Sequence, residues 1–224
     1  MPICALVGAT HFNAEHFLSQ DFDFIIAVDR GYKSLQALGI TPDLVVGDFD
    51  SLEFVPEGSN VLQFPSEKDE SDMEIAIRGA RHGGCDSLLF YGALGQRLDH
   101  TLANMQLMLS CARRGAHVAA IDQENVLVAL SGGGPRQMGF SSFDPTLLDG
   151  GMYGRYISVF AQGGSAFGVC ERGLKYNLDN AELSDEVSLG LSNEFTGEPV
   201  YISVEKGSAL VSFSAAAWPF VSEW

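Results

Sequence analysis

The chain has 224 residues, a length that accommodates one large domain or two small ones. Hydrophobic residues make up 46% of it and charged residues 19%, which is an ordinary composition for a globular protein with a sizeable core. The formal net charge of −16 argues against direct binding to nucleic acid, because the phosphate backbone needs a basic surface. A nucleotide can still bind where a divalent cation bridges acidic side chains and phosphate groups.

The apolar runs are short and interrupted by charges or glycine, so we expect no membrane span. Residues 1–9 are apolar without a basic flank, and we interpret them as a first buried strand rather than a signal peptide. The four cysteines are scattered and form no CxxC pair, so the sequence predicts no zinc site. We expect them to behave as small apolar side chains in a reducing compartment, which suggests a cytoplasmic protein.

Short continuous apolar runs alternate with helical patterns over residues 1–125. The predicted strands are Ile3–Val7, Phe24–Val28, Leu44–Val46, Val61–Phe64, Leu88–Tyr91 and Val118–Ile121. Two apolar stripes with helical spacing lie between them, one formed by Met73, Ala76, Ile77 and Ala80 and the other by Leu98, Leu102, Met105 and Leu109. This order of elements predicts an α/β domain with a doubly wound, mostly parallel sheet.

The character of the sequence changes near residue 130. A glycine-rich loop at Ser131–Pro135 is followed by a poorly patterned stretch that lasts to about Gly154. Alternating segments then predict further strands at Tyr156–Ala161, Ala166–Cys170, Val200–Val204 and Ala209–Phe213. We therefore divide the chain into an α/β domain at residues 1–130 and an antiparallel β domain at residues 131–224.

Two aspartates follow the third predicted strand directly. Asp48 and Asp50 lie at positions i and i+2 of the Gly47–Ser51 motif, and ligands of open parallel sheets bind at the carboxyl ends of strands. Two carboxylates at this place can reach one hard cation, which prefers oxygen ligands. A polar turn in which Asp50 or Ser51 caps the next turn explains the same residues equally well.

A second acidic motif, Lys68–Glu74, precedes the first helical stripe. Ser71 and Glu74 match a capping box, and acidic residues favour the start of a helix. Capping leaves Asp69 and Asp72 unexplained, although such a cluster on its own is more often solvated surface.

The third motif, Gly92–His100, lies between a predicted strand and the second helical stripe. Its glycines let backbone N–H groups approach an anion, and Arg97 can clamp a phosphate with two hydrogen bonds. Asp99 has a plain alternative role as a helix N-cap, and His100 and Asn104 can simply be polar surface. No Walker A string and no GxGxxG string occurs in the sequence.

Two shorter motifs complete the set: Asp29-Arg30-Gly31 after the second strand, and Ser192-Asn193-Glu194 in the β domain. Each alone is more often a turn than a site. Together, the acidic motifs after strands indicate a metal-dependent phosphate-transfer enzyme, because a parallel sheet gathers the ends of its strands along one edge. No GxSxG elbow or catalytic triad pattern is present.

The order and spacing of these motifs resemble the thiamine pyrophosphokinase family. The resemblance rests on Asp29-Arg30-Gly31, Gly39–Asp43, Gly47–Leu52, Lys68–Glu74, Arg97–His100 with Asn104, Gly173–Tyr176 and Leu191–Glu194. It extends from the first strand to about Val211. Arg30, Ser71 and Gln96 depart from the family pattern, which has glycine, threonine and glycine at these places, and the insert at Gly139–Gly154 has no role that the family explains.

The resemblance implies a catalytic α/β domain, a C-terminal β-sandwich, thiamine and ATP as substrates, Mg²⁺ as cofactor, AMP as co-product and a homodimer. It further implies roles for single residues. Asp48, Asp50, Asp72 and Asp99 would hold Mg²⁺ and the triphosphate, and Arg97, His100 and Asn104 would contact the nucleotide. Asp29 would face the acceptor side, and Ser192 and Asn193 would hold thiamine.

Two other functions remain open at this level. A phosphohydrolase of the haloacid-dehalogenase type also has an apolar strand followed by Asp-x-Asp, as in Asp48-Phe49-Asp50, and forms an aspartyl-phosphate. It would leave the other motifs and the β domain unexplained. A non-catalytic sensor of thiamine or nucleotide is the second alternative, although every acidic position of the motifs is filled.

Overall fold

The computed structural model describes residues 1–50, 52, 54–56, 60–148 and 154–224. Ser51 and part of the insert at Gly139–Gly154 therefore lie outside the described residues. The chain divides into two compact units, residues 1–107 with 120–123 and residues 108–119 with 124–224. Among the described helices, none combines the length and apolar character that a membrane span requires. The division between residues 130 and 131 stays a prediction.

The first unit is built on parallel strands. Five of them are β1 (Ile3–Val7), β2 (Phe24–Val28), β3 (Leu44–Gly47), β4 (Val61–Gln63) and β5 (Ser87–Tyr91), and a sixth strand, β6 (His117–Ile121), straddles the boundary between the units. The first five lie in the order β5-β1-β2-β3-β4, and every neighbouring pair is parallel. The buried side chains of β1 and β5 agree with a sheet that is covered on both faces.

Four helices follow strands in this half of the chain: α1 (Ala14–Leu18), α2 (Gly31–Ala37), α3 (Asp72–His82) and α4 (Leu98–Arg113). The predicted stripe of α3 is buried along its whole length. Ser71 caps this helix, and its hydroxyl accepts a hydrogen bond from the Glu74 N–H at 3.2 Å. The predicted helix start is therefore confirmed.

The apolar stripe of α4 differs from the prediction. Leu109 is buried, but Leu98 and Leu102 in the first turns are 71% and 53% exposed. Helical spacing identifies which side chains share a face of a helix, and it does not determine whether another element covers that face. The first half of the α4 stripe is therefore an exposed apolar surface of the chain.

The second unit is an antiparallel β-sandwich. Its strands are β7 (Asn125–Ser131), β8 (Gln137–Phe140), β9 (Tyr156–Ala161), β10 (Ala166–Arg172), β11 (Leu178–Leu183), β12 (Asn193–Glu194), β13 (Val200–Ser203), β14 (Ser208–Ser214) and β15 (Val221–Glu223). One set runs β12-β9-β14-β7 and the other β11-β10-β13-β8-β15. The pairs within both sets are antiparallel.

Aromatic side chains fill the space between the two sheets of this unit. The Phe140 ring of β8 lies 5.0 Å from both the Phe195 ring and the Phe213 ring of β14, in each case edge to face. The α/β fold with a C-terminal β-sandwich is thus confirmed. Strands β7, β8, β11, β12 and β15 are not among the predicted strands. Strand β7 has a continuous apolar run to which no predicted element corresponds, and the other four lack a clear alternating pattern.

Candidate active site

Two aspartates meet at the carboxyl ends of the neighbouring strands β2 and β3. Asp29 follows β2, and its N–H donates a hydrogen bond to the Val46 carbonyl at 2.8 Å. Asp48 follows β3 directly. A side chain at Gly47 would come within 3.1 Å of the Asp29 Cα, so the glycine allows this close approach. The sheet therefore gathers these two predicted site residues, as expected for parallel strands.

Asp72 shares the electrostatic environment of these two residues. It is the first residue of α3, and its Oδ1 lies 3.0 Å from Lys68 Nζ. Burial raises the pKa of the Asp72 carboxyl, Lys68 opposes the rise, and the charges of Asp48 and Asp29 add to it. We call Asp29, Asp48 and Asp72 the acidic cluster.

Asp50 is exposed and turns toward the segment that follows β4. Its Oδ2 accepts a hydrogen bond from Ser66 Oγ at 2.6 Å, and its N–H donates to Asp48 Oδ1 at 3.1 Å. The latter bond is a local turn of the kind that aspartate favours. Asp50 thus lies beside Asp48 in the backbone, while its carboxylate is held by Ser66.

Hydrogen bonds with three nearby side chains hold the backbone of the loop between β5 and α4 in place. Asn104 is buried, and its Nδ2 donates to the Ala93 carbonyl at 2.6 Å. Thr101 Oγ1 accepts from the Gly95 N–H at 3.0 Å, and Thr10 Oγ1 donates to the Leu94 carbonyl at 2.7 Å. The amide of Asn104 therefore orders this loop from below.

Arg97 and Asp99 form an exposed ion pair at the end of this loop. Arg97 Nη2 lies 2.6 Å from Asp99 Oδ2, and Arg97 Nε donates to Asp99 Oδ1 at 3.2 Å. The hydrogen bond from Arg97 lowers the pKa of the Asp99 carboxyl, which also accepts from the His100 N–H. The pair holds a guanidinium in place at the start of α4, next to the exposed His100.

The acidic cluster and the Arg97–Asp99 pair occupy different parts of the sheet edge. The strands that lead to them, β3 and β5, are separated by β1 and β2. Three strand spacings correspond to about 14 Å. Within the described ranges, no group of three or more histidine, cysteine and acidic side chains is arranged to hold a metal ion by protein ligands alone.

Backbone strain concentrates at the predicted motifs. Among the residues that the structure describes, five that are not glycine have positive φ, namely Asp29 (48°), Phe49 (65°), Gln96 (48°), Asn180 (50°) and Ser192 (57°). All except Asn180 lie in motifs that the sequence analysis selected. Side chains larger than glycine are disfavoured in this conformation, and such residues are typical of sites where function constrains the backbone.

Ser192 and Asn193, the two site residues predicted in the β-sandwich, have opposite environments. Ser192 is exposed, and its N–H donates to Ser158 Oγ at 2.9 Å. Asn193 is buried, and its side-chain amide forms two hydrogen bonds with the backbone of Tyr176. Its Oδ1 accepts from the Tyr176 N–H at 2.9 Å, and its Nδ2 donates to the Tyr176 carbonyl at 2.6 Å. The neighbouring Glu194 pairs with Lys175 at 2.5 Å and with Arg155 at 3.4 Å.

Two residues that contact predicted site residues were not themselves predicted to have a function: Lys68, beside Asp72, and Glu171, beside Asn193. Lys68 was noted only as part of its motif, although its spacing of four residues from Asp72 signals an ion pair at a helix start. Glu171 lies on the inner face of β10, and its Oε2 accepts a hydrogen bond from Asn193 Nδ2 at 2.9 Å. Its only sequence signal is a charged residue at an inward position of a strand.

Comparisons with known proteins identify both halves of the chain. A family model for the catalytic domain of thiamin pyrophosphokinase matches residues 16–120, and a model for the vitamin B1 binding domain of the same enzyme matches residues 146–209. Thiamine pyrophosphokinase of Bacillus subtilis is 27% identical over 188 residues, which cover 81% of this chain and 83% of that protein.

Solved structures agree over nearly the whole chain. The crystal structure of the Bacillus subtilis enzyme superposes with a TM-score of 0.79 at 24% identity and covers 95% of this chain and 98% of its own. The structure of thiamin pyrophosphokinase from Geobacillus thermodenitrificans gives a TM-score of 0.76 at 27% identity and covers 95% and 97%. The chain therefore belongs to the thiamine pyrophosphokinase family, and its activity is the transfer of a diphosphate group to thiamine.

Proposed function

We propose that the chain transfers the diphosphate of ATP to the hydroxyl of thiamine with the help of Mg²⁺, and that the acidic cluster is the centre of this chemistry. The observation that carries the proposal is the shared environment of Asp29, Asp48 and Asp72 at the carboxyl ends of β2 and β3. Three carboxylates in partly buried surroundings concentrate negative charge, which a bound cation would offset.

The donor set fits Mg²⁺ in a complex with ATP. In proteins Mg²⁺ commonly retains waters and takes one or two carboxylates together with phosphate oxygens, so a complete protein cage is not needed. Asp48 and Asp72 would hold the ion from the cluster, with Asp50 beside them and Asp99 toward the triphosphate. When bound, Mg²⁺ would supply positive charge that offsets the charge of the phosphate groups.

Lys68 keeps Asp72 ready to accept a cation. Its ammonium group lies 3.0 Å from Asp72 Oδ1 and also donates to the Pro65 carbonyl at 3.0 Å. The positive charge favours the ionised carboxylate against the effect of burial. The side chain of Lys68 thereby favours the ionised form that oxygen ligation of a metal requires.

The loop before α4 would hold the phosphate groups. Arg97 presents a planar guanidinium that is suited to two parallel hydrogen bonds with phosphate oxygens, and Asp99 fixes its orientation. His100 is exposed next to this pair and would contact the nucleotide. Asn104 would act from within, because its amide holds the Ala93 carbonyl of the loop.

The reaction consists of in-line attack by the thiamine hydroxyl on the β-phosphorus, with AMP as the leaving group. Catalysis of such transfers depends mostly on positioning and on stabilisation of charge. A carboxylate accepts the proton of the hydroxyl, and Asp50 and Asp99 are the candidates because both side chains are exposed. Asp29 would face the acceptor.

The β-sandwich would bind thiamine, and we propose that the enzyme is a homodimer. Ser192 offers an exposed hydroxyl next to the Tyr176 segment. An exposed apolar surface precedes Ser192 in the chain, formed by Val187, Leu189 and Leu191. Such apolar side chains favour burial against another surface, and symmetric dimers are the commonest oligomers.

Three of the four cysteines fit a cytoplasmic location. Cys4, Cys85 and Cys111 are buried. Burial raises the pKa of the Cys85 thiol, which keeps it protonated and unreactive. Thiols of this kind persist in a reducing compartment, and we therefore place the enzyme in the cytoplasm.

The experiment is incubation of the purified chain with ATP, Mg²⁺ and thiamine, followed by quantification of AMP, ADP and thiamine diphosphate. We expect equal amounts of AMP and thiamine diphosphate. Formation of ADP and phosphate, or a phosphorylated Asp48 trapped on the protein, would instead support a phosphohydrolase. Binding of thiamine without turnover would support a sensor.

A further inference from the structure

A carboxylate is buried inside the β-sandwich of the second unit. Glu171 of β10 is 1% exposed and lies opposite Ile202 of β13 and Leu178 of β11. Ile202 is itself fully buried. A carboxyl group in apolar surroundings costs free energy unless a partner compensates it, so its presence at an inward strand position calls for a specific role.

The partner of Glu171 belongs to the other sheet. Its Oε2 accepts a hydrogen bond at 2.9 Å from Nδ2 of Asn193 in β12. Strand β10 is part of the β11-β10-β13-β8-β15 sheet, whereas β12 pairs with β9 at the edge of the opposite set. The bond therefore joins the two layers of the sandwich through side chains. Among the described residues, Oε1 of Glu171 has no hydrogen-bond partner.

The amide of Asn193 is fully used by the chain itself. Its Oδ1 accepts from the N–H groups of Tyr176 and Glu194, both at 2.9 Å. Its Nδ2 donates to the Tyr176 carbonyl at 2.6 Å and to Glu171. These contacts account for both donors and both lone pairs of the side chain. The amide therefore has no hydrogen-bonding capacity left for a ligand while these bonds persist.

Glu171 supports the observed orientation of this amide. Its Oε2 accepts from Nδ2, so the Nδ2 side of Asn193 faces it. Burial raises the pKa of the Glu171 carboxyl, and the hydrogen bond from Asn193 opposes that rise. In this orientation the Asn193 amide binds the N–H and the carbonyl of Tyr176, as the backbone of a neighbouring strand would, and so aligns Tyr176 with β12. The Lys175 N–H adds a bond to the Glu194 carbonyl at 3.0 Å.

The segment that is held in this way borders Ser192. Gly173–Asn177 carries the Tyr176 side chain, which is exposed, and it connects β10 to β11. Ser192 precedes Asn193 and has a left-handed backbone. A shift of the Asn193 amide would therefore move two exposed groups, the Tyr176 ring and the Ser192 hydroxyl, in the part of the β-sandwich that we propose to bind thiamine.

We propose that Glu171 is a positioning residue of thiamine binding: it orients the Asn193 amide, which fixes Gly173–Asn177 beside Ser192. The proposal rests on the proposed assignment of this half of the chain to thiamine. It also changes the expected role of Asn193, whose amide acts on the Tyr176 backbone, and leaves direct contact with thiamine to Ser192 and Tyr176.

Three substitutions of Glu171 and one control test the proposal. Glu171→Leu and Glu171→Met remove the acceptor and place an apolar side chain of similar size at this buried position, and they leave one N–H of the Asn193 amide without its acceptor, a loss of stability that Tm reports. Glu171→Gln keeps an oxygen that can accept from Asn193 Nδ2. Arg172→Gln alters the next residue of β10, whose exposed side chain pairs with Asp179 and does not reach Asn193.

The readouts are the separate KM values for thiamine and ATP, kcat and Tm. We expect the apolar variants to raise the KM for thiamine by about tenfold or more, because a small displacement of binding groups has effects of this size. The KM for ATP and kcat should stay within about threefold of wild type, and Glu171→Gln should restore most of the affinity for thiamine. Arg172→Gln should resemble wild type.

Several outcomes would overturn the proposal. A folded Glu171→Leu or Glu171→Met enzyme with the wild-type KM for thiamine is one, and equal losses in Glu171→Gln and the apolar variants are another. Failure of both apolar variants to fold would assign Glu171 to the stability of the sandwich alone. The wild-type chain is assayed before any variant. If it is inactive, the proposed function itself is refuted, and this failure is thereby distinguished from a failure of the role proposed for Glu171.

Discussion

Lys68 Nζ lies 3.0 Å from Asp72 Oδ1, and both side chains are largely buried. The pair connects the segment after β4 with the first residue of α3. It places a positive charge beside the Asp72 carboxylate, whose ionised form is disfavoured by the negative charges of Asp48 and Asp29. When a buried carboxylate loses its positively charged partner, its pKa rises, because burial in a low dielectric penalises the charged form. Lys68 is therefore a sensitive point of the acidic cluster.

Replacement of this lysine should shift the pH dependence of activity. In Lys68→Met the pKa of Asp72 rises further, because the one contribution that lowers it is removed while burial and the two aspartates remain. A higher pKa means that Asp72 becomes protonated at higher pH as the solution is acidified. We expect the acid limb of kcat/KM to move to higher pH, measured from pH 5 to 9 at saturating Mg²⁺. Lys206→Met, a change in the other unit, is the control, and an unshifted acid limb in Lys68→Met would contradict the prediction.

Loss of the Asp50 carboxylate should abolish most turnover without unfolding the chain. Asp50→Asn changes an exposed side chain, and such changes usually alter the free energy of unfolding by at most about 0.5 kcal/mol. We expect kcat to fall by at least about 100-fold if this carboxylate acts as general base or metal ligand. Ser66→Ala is the matched control, because it removes the hydrogen bond to Asp50 but keeps the carboxylate. Near-normal kcat in Asp50→Asn at saturating Mg²⁺ would refute the assignment.

A buried histidine should make the fold sensitive to acid. His16 Nδ1 lies 3.0 Å from Tyr91 Oη in an aromatic cluster, and burial lowers the pKa of His16 to about 4 from its usual value near 6.5. Between these two values the unfolded chain binds the extra proton and the folded chain does not. The free energy of unfolding should therefore fall as pH decreases from about 6.5 to 4, by up to about 3 kcal/mol, with no further loss from this group below pH 4.

Urea denaturation at a series of pH values measures this effect. His16→Gln has no imidazole to protonate, so the same pH range should change its stability by less than it changes that of the wild type. The difference between the two curves isolates His16 from the carboxylates that titrate in the lower part of the range. Parallel curves would show that burial does not depress this pKa.

Complementation should reveal whether the proposed dimer shares its sites. Asp50→Asn damages the catalytic half, and Asn193→Ala removes the amide that fixes the thiamine-binding half. When equal amounts are unfolded and refolded together, random pairing makes about half of the dimers mixed. A mixed dimer has one intact site if the catalytic half of one chain works with the thiamine-binding half of its partner, which is the arrangement we propose. We expect about a quarter of wild-type activity to return, measured against a wild-type chain refolded in parallel. No recovery would mean that every site is complete within one chain.

Much of the first unit could be predicted from the sequence. The apolar runs of β1, β2 and β5 and the stripe of α3 identify strands and a helix, because burial imposes a period on residues that are close in the chain. The Ser71 cap and the positions of Asp29 and Asp48 after strands are equally local. An alternation of strands and helices then fixes on which edge of the sheet such residues collect.

The remaining features depend on which distant segments meet. Strand β12 has only two residues and exists through its pairing with β9, so no local pattern announces it. Leu98 is exposed although its spacing predicts a buried face, and Glu171 is buried although its charge predicts exposure. The sequence determined the family motifs, the order of the elements and the acidic character of the site. Only tertiary structure decided that the Lys68–Asp72 pair is largely buried near Asp48 and Asp29 and that Glu171 pairs with Asn193, since burial and long-range pairing arise from contacts between segments far apart in the chain.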